Sequence, residues 1–267
     1  MGDHSAAVPT LPAVAQRAVL MASDPEVPVF KLAELVGKDQ VLASRVLGLA
    51  NSAFSAPSMR ISTVLEAITR VGTAAVRNVI VTVSLTSMKD RAIYGSRGQD
   101  LFDHALGTAF MARLVAERVR VSEDEAFLAG LMHDIGKLVI LKLAYDHGRR
   151  AGEKVANDIL DLALQERHAM MGSLALRRWH LPDSVDDPVM FHHNYAAAPR
   201  HQREVEVCYL ANRLSHRYGF GCPPEPAEAA TFADDDVFAL LGLNQSWLEA
   251  TDQKAPGLVA VAKQLLG

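Results

Sequence analysis

Cysteine is scarce. Cys208 and Cys222 are the only two in 267 residues, too few for a disulfide framework and without the paired spacing of a zinc ribbon. A reducing compartment, the cytoplasm, is the expectation. Aromatic side chains are thin at 6%. No charge of one sign dominates. The formal net charge is −4, so no basic field invites nucleic acid. No apolar run approaches the ~20 uncharged residues that a membrane helix needs. Met1 to Pro9 lacks the basic-then-apolar order of a signal peptide. Internal repeats and low-complexity tracts are missing too. The remainder, 49% apolar and 22% charged, suits one large core or two smaller ones.

What is present reads as helix almost throughout. After a loose arm over 1–10, apolar residues recur at three to four positions from Pro12 (Val14, Ala18, Met21). Two further helices are expected at Val29–Val36 and at 40–53, the second ending on Asn51-Ser52, whose side chains can stop a helix. Thr63-Val64-Leu65-Glu66 has the capping-box pattern, and its helix breaks at Gly72. Over 74–88 the signals conflict. Val79, Val81, Val83 and Leu85 alternate as in a strand. No partner strand is evident, so a buried helix is expected.

Residues 91–99 are expected to form a loop, with a helix starting near Asp100. Ser122-Glu123-Asp124-Glu125 opens the helix that carries Leu131-Met132-His133-Asp134-Ile135-Gly136-Lys137. Downstream, a short helix around Ile159–Leu164, another from His168 to Trp179, and one starting at Leu181-Pro182 lead to His192-His193. Met171, Leu174, Ala175 and Leu176 should face inward, and Met170 and Trp179 should be core. A helix over 203–218, a Gly/Pro-rich acidic linker over 216–236 and C-terminal helices within 237–267 close the chain.

The chemistry concentrates on histidine. A lone His-Asp pair is more often a buried polar clasp between helices than a site. Here it does not stand alone. His104, His133-Asp134, His168 and His192-His193 follow one another at gaps of 29, 35 and 24 residues, about one helical hairpin each. Antiparallel packing could bring them to one cavity. Imidazoles with a carboxylate suit one or two divalent transition ions (Fe, Mn, Ni or Zn), with Asp134 able to bridge. Gly136 permits a close backbone approach or a turn. Lys137 adds a cation suited to phosphate.

His104 followed by Gly130–Lys137 resembles the HD superfamily of metal-dependent phosphohydrolases. The upstream stretches Pro9-Thr10-Leu11-Pro12, Leu32–Val36, Asp39, Leu49-Ala50-Asn51-Ser52-Ala53-Phe54 and Ile61–Gly72 resemble the HDOD family, the HD-related output domain of bacterial signalling proteins. The resemblance spans residues 9–215. It implies an all-α fold with an N-terminal helical bundle (9–90) packed on an HD-like bundle (100–215), and a short C-terminal helical extension.

The resemblance also implies roles. His104, His133, Asp134, His168, His192 and His193 take metal-ligand positions. Asp134 and Lys137 would be the catalytic groups of an enzyme. Two departures count against hydrolysis. Asn212 stands where the closing Asp of HD enzymes is expected, and an amide oxygen is a poorer partner for a dication than a carboxylate. Asn194-Tyr195-Ala196 replaces the Gly-Tyr-Pro loop of the cyclic-di-GMP phosphodiesterases. The leading expectation is a non-hydrolytic signalling module that binds a protein partner or a small phosphorylated ligand. The alternatives are a metal-dependent phosphohydrolase of nucleotides or phosphoesters, and a metal-based redox sensor.

Overall fold

The computed structural model describes residues 11–52, 60–86, 90–221 and 236–264. Pro9-Thr10, Ala53-Phe54, Cys222 and most of the acidic linker lie outside them. Among the described residues every regular element is helical, as the sequence pattern implies. Among the described residues, no single helix is long and apolar enough to cross a membrane. The chain divides into two compact units: Thr10–Ser87 with Trp179–Leu181, and Met88–Arg178 with Pro182–Gly267.

The first unit holds α1 (Ala13–Ser23), α2 (Val29–Gly37), α3 (Gln40–Ala50), α4 (Val64–Val71) and α5 (Thr73–Thr86). The capping box at α4 is complete. Thr63 Oγ1 accepts from the Glu66 N–H at 3.2 Å, and the Thr63 N–H donates to Glu66 Oε2 at 3.3 Å. Asn51 caps α3 and does more. Its amide donates to the carbonyls of Leu47 and Ile61 at 2.9 and 2.8 Å and accepts from the Ile61 N–H at 2.8 Å. It ties the end of α3 to the approach of α4. The valine-rich segment is the helix α5, burying Val76, Ile80, Val81 and Leu85. A helical stripe buried against α1 outweighs the local β preference.

The second unit contains α6 (Arg91–Tyr94), α7 (Arg97–Val119), α8 (Glu123–Met132), α9 (Ile135–Ala151), α10 (Asn157–Arg178), α11 (Asp183–Phe191), α12 (Gln202–Arg217), α13 (Asp236–Leu240) and α14 (Gln245–Gln264). Helix α7 packs on α8 and α12, α9 on α10, and α11 on α8, α10 and α12. Met111, Leu128, Met132, Leu176, Val189 and Leu210 are fully buried among them. Each such side chain contributes about 1.5–3 kcal/mol.

Three expectations need correction. The stretch 91–99 is not a plain loop. Asp90 caps α6 by accepting from the Ala92 N–H at 2.9 Å, and α7 already begins at Arg97. The helices expected around 159–164 and from His168 are one 22-residue helix, because no Gly or Pro interrupts it before Gly172. Leu174 and Met170 are exposed, while Ala175, Leu176 and Trp179 are buried. An unbroken α10 turns the former pair to solvent.

Candidate metal centre

His133 and Asp134 do not share a helix as their adjacency suggests. They occupy the break between α8, which ends at Met132, and α9, which starts at Ile135. The break aims both side chains inward. His133 and Asp134 are 0% and 4% exposed. Gly136 serves close approach rather than a turn. A Cβ there would overlap the His168 carbonyl oxygen and crowd the Gly172 nitrogen. Glycine therefore lets α9 lie directly against α10 and brings His168 to Asp134.

The six predicted side chains converge. His133 Nε2 lies 3.2 Å from His104 Nε2. His168 Nε2 lies 3.2 Å from His192 Nε2 and 3.0 Å from His193 Nε2. Asp134 sits between the two groups. Its Oδ2 is 3.4 Å from His133 Nε2 and 4.0 Å from His104 Nε2. Its Oδ1 is 3.5 Å from His168 Nε2 and 3.8 Å from His192 Nε2. Two donor sets result, His104-His133-Asp134 and His168-His192-His193, sharing one carboxylate. Asn212 is also there, with Oδ1 2.9 Å from His104 Nε2. Lys137 Nζ donates to Asp134 Oδ2 at 2.7 Å, so it is held on the carboxylate rather than swinging free.

The other ring nitrogen explains the orientation. His133 Nδ1 faces the Gly130 carbonyl at 2.7 Å, His168 Nδ1 the Leu164 carbonyl at 2.7 Å, and His192 Nδ1 the Val189 carbonyl at 2.8 Å. A carbonyl only accepts, so each Nδ1 carries the proton and each Nε2 presents a lone pair. Such backbone partners orient metal-binding imidazoles generally. Sequence reasoning missed them, although three- and four-residue spacing within a helix end is a usable signal.

Burial keeps His104, His168, His192 and His193 neutral. Burial, helped by His133, lowers the His104 pKa to about 3. Burial and the neighbouring His168 lower His193 to about 4. Burial also pushes His168 down and His192 well down. For Asp134, burial pulls upward, but His133 and Lys137 outweigh it and hold the carboxyl well below the usual range. Bare imidazoles around an ionised carboxylate are ready to ligate without shedding protons.

The arrangement fits a cation. The bare Nε2 lone pairs of His168 and His192, 3.2 Å apart, repel unless something positive lies between them. That spacing is near the ~3.3 Å ligand separation around a tetrahedral ion with bonds of about 2.0 Å. Asp134 Oδ1 is buried without any hydrogen-bond partner, a costly state for an anionic oxygen.

An all-helical fold with a buried His-Asp pair at a helix break and further histidines on the facing helices defines an HD-type protein. The chain belongs to the HDOD family, whose HDOD domain model matches residues 8–195. The match stops short of 215, so α12 and Asn212 lie beyond it. An uncharacterized protein of Treponema pallidum (strain Nichols) is 26% identical over 223 residues, covering 77% of this chain and 41% of that protein. Ribonuclease Y of Thermoanaerobacter pseudethanolicus is 31% identical over 99 residues, 37% of this chain and 15% of that enzyme. The chain thus spans well under half the length of these curated relatives. Among solved structures, an HDOD domain protein of unknown function from Geobacter sulfurreducens aligns with a TM-score of 0.74 at 22% identity, covering 97% of this chain and 93% of that one. A proposed metal-dependent phosphohydrolase from Shewanella amazonensis SB2B aligns at 0.64 with 19% identity, covering 88% and 91%.

Proposed function

We propose that this chain is an HDOD signalling module whose pocket holds a divalent transition metal, and that metal occupancy is the state it communicates to a protein partner or a small phosphorylated ligand. One observation carries the reading: the neutral imidazoles of His168 and His192 turn bare Nε2 atoms onto the unpartnered oxygen of a buried carboxylate. The stronger set is His168, His192 and His193 with Asp134. The weaker is His104 and His133 with Asp134, because Asn212 brings no charge. Two dications against a single carboxylate leave excess positive charge, to which Lys137 adds. A second ion would therefore come with an anion such as phosphate.

Phosphoester hydrolysis is the second reading. His193 is exposed and the Lys137 side chain is 28% exposed, so the pocket has an open rim where a phosphate could enter. A bound ion would supply Lewis acidity toward a phosphoryl oxygen, and Lys137 would orient the substrate's negative charge. The partial likeness to ribonuclease Y supports this reading and adds RNA to the substrates worth testing.

Metal analysis of protein purified without chelator tests the centre. About one Fe, Mn, Ni or Zn per chain is expected, with a second binding weakly. No metal, before or after reconstitution, would overturn both readings. A panel of nucleotides, phosphomonoesters and RNA then separates them. Turnover abolished by Asp134→Ala favours the hydrolase, and none with any metal favours the module. Reversible valence change of bound iron would shift the reading to a redox sensor.

A further inference from the structure

His104 differs from His133, His168 and His192 in one respect. Its Nδ1 partner does not come from its own helix. The ring faces the Phe220 carbonyl at 3.2 Å, across 116 positions of sequence. Ser215 Oγ stands 3.4 Å from the same nitrogen and donates to the His104 carbonyl at 3.3 Å. The neutral ring has one proton and two claimants, because Asn212 Oδ1 stands at 2.9 Å from Nε2. If Nδ1 holds the proton, Nε2 is bare and can ligate. If Nε2 holds it, His104 donates to Asn212 and is lost to the centre.

The segment Tyr218–Gly221 that supplies the Phe220 carbonyl is lodged on α7 by two glycines. The Phe220 ring fills the place of a side chain at Gly107, where a Cβ would overlap its ring carbons. Gly221 has φ +74° and lies so close to α7 that a Cβ would overlap the Asp100 carbonyl and crowd His104. The same segment is held from the other side by the C-terminal helices. Phe220 shares one core cluster with Val237, Phe238, Leu241, Leu248 and Ala255. Asp252 of α14 accepts from Tyr218 Oη at 2.8 Å and from Arg217 Nε and Nη2 at 3.2 Å each. The segment Tyr218–Gly221 and the residues of α13 and α14 that hold it lie beyond the 8–195 stretch matched by the family model.

We propose that Tyr218–Gly221 is a strap that positions His104: the Phe220 carbonyl places the ring proton on Nδ1 and bares Nε2 toward Asp134, and α13 and α14 hold the strap in place. The C-terminal helices thereby control whether one arm of the pocket can ligate. Whatever loosens α13 and α14 weakens the His104 set and leaves the His168 set alone, because His168 and His192 take their carbonyls from within their own stretches of chain. Phe220 is a positioning residue, not a catalytic one. The metal consequence rests on the pocket reading above, whereas the proton placement does not.

Nitrogen-15 NMR of the metal-free protein above pH 7 reads the tautomer directly. His104 should show a protonated Nδ1 and a bare Nε2. Gly107→Ala is the sharpest variant. Alanine improves the intrinsic helix propensity of α7 while evicting the Phe220 ring, so unchanged far-UV circular dichroism with a proton moved to Nε2 is expected. Asp252→Asn, far from the pocket, should shift the tautomer in the same direction without touching α7. Adding Phe220→Leu to Gly107→Ala should restore the Nδ1 proton in part. In zinc titration, the weaker of two sites should lose about tenfold in affinity, the range for such supporting partners, with the stronger unchanged. A wild-type His104 protonated on Nε2, or a tautomer indifferent to both Gly107→Ala and Asp252→Asn, overturns the proposal. Failure of every form to bind zinc while the tautomer shifts as stated overturns the metal reading instead.

Discussion

The proton positions on the histidine rings decide what this pocket can do. Because folding lowers the pKa values of His104, His168, His192 and His193, the unfolded chain takes up protons near pH 6.5 that the folded pocket refuses until about 3 for His104 and about 4 for His193. Their contribution to stability is therefore fully present above about 6.5 and is lost as pH falls below it. With chelator present, the urea midpoint should be lower at pH 5 than at pH 7.5, and equal midpoints would contradict the burial argument. Lys137 competes with any ion for Asp134 Oδ2. Lys137→Met should cost the metal-free protein about 1.5–3 kcal/mol, the range for a hydrogen bond to a charged group, yet tighten zinc binding. Thermal melts and titration together check both signs. Asn212→Asp adds the missing negative charge beside His104, and zinc affinity at the weaker site should rise on the order of tenfold. An unchanged affinity would count against the placement of Asn212 in the donor set.

Helix crossings carry the geometry. Gly136→Ala sets two effects against each other. Alanine gains about 1 kcal/mol of helix propensity, but its Cβ would overlap a backbone carbonyl that cannot rotate away. Overpacking of this kind costs about 1–3 kcal/mol or more. The clash wins, and the spreading of α9 from α10 should carry His168 off Asp134. Loss of the stronger metal site, with α-helical content kept, is the expected outcome. Much of this was legible beforehand. The capping box at Thr63 follows from local pattern, the helix at 73–86 is expected against a local strand-like alternation because no partner strand is evident, and the six side chains that converge are named from their spacing and the family resemblance. The continuity of α10 was not, because Ile159 and Leu162 are 60% and 61% exposed and imitate a buried stripe. The break at His133-Asp134 was hidden by an apolar run continuing on both sides of it.

The pocket lies wholly within one of the two compact units. A ligand that binds only the folded form stabilises by about 2.7 kcal/mol at a hundredfold excess over its Kd. In calorimetry, zinc should raise the transition of the unit bearing the histidines, and His168→Ala should abolish that rise. A transition from the Thr10–Ser87 unit should stay in place. Equal movement of all transitions would mean that the units unfold as one.

Local sequence was enough for the all-helical class and the family, because helix periodicity, capping and short motifs depend on neighbours a few residues apart. The Nδ1 partners of His133, His168 and His192 are implicit in it as well, since each is a carbonyl three or four positions back. Only the tertiary structure decided which distant histidines share Asp134 and that the Phe220 carbonyl faces His104. Those contacts join positions tens to more than a hundred residues apart. They depend on glycine-sized approaches between helices, and a one-dimensional pattern carries no distance between one helix and the next.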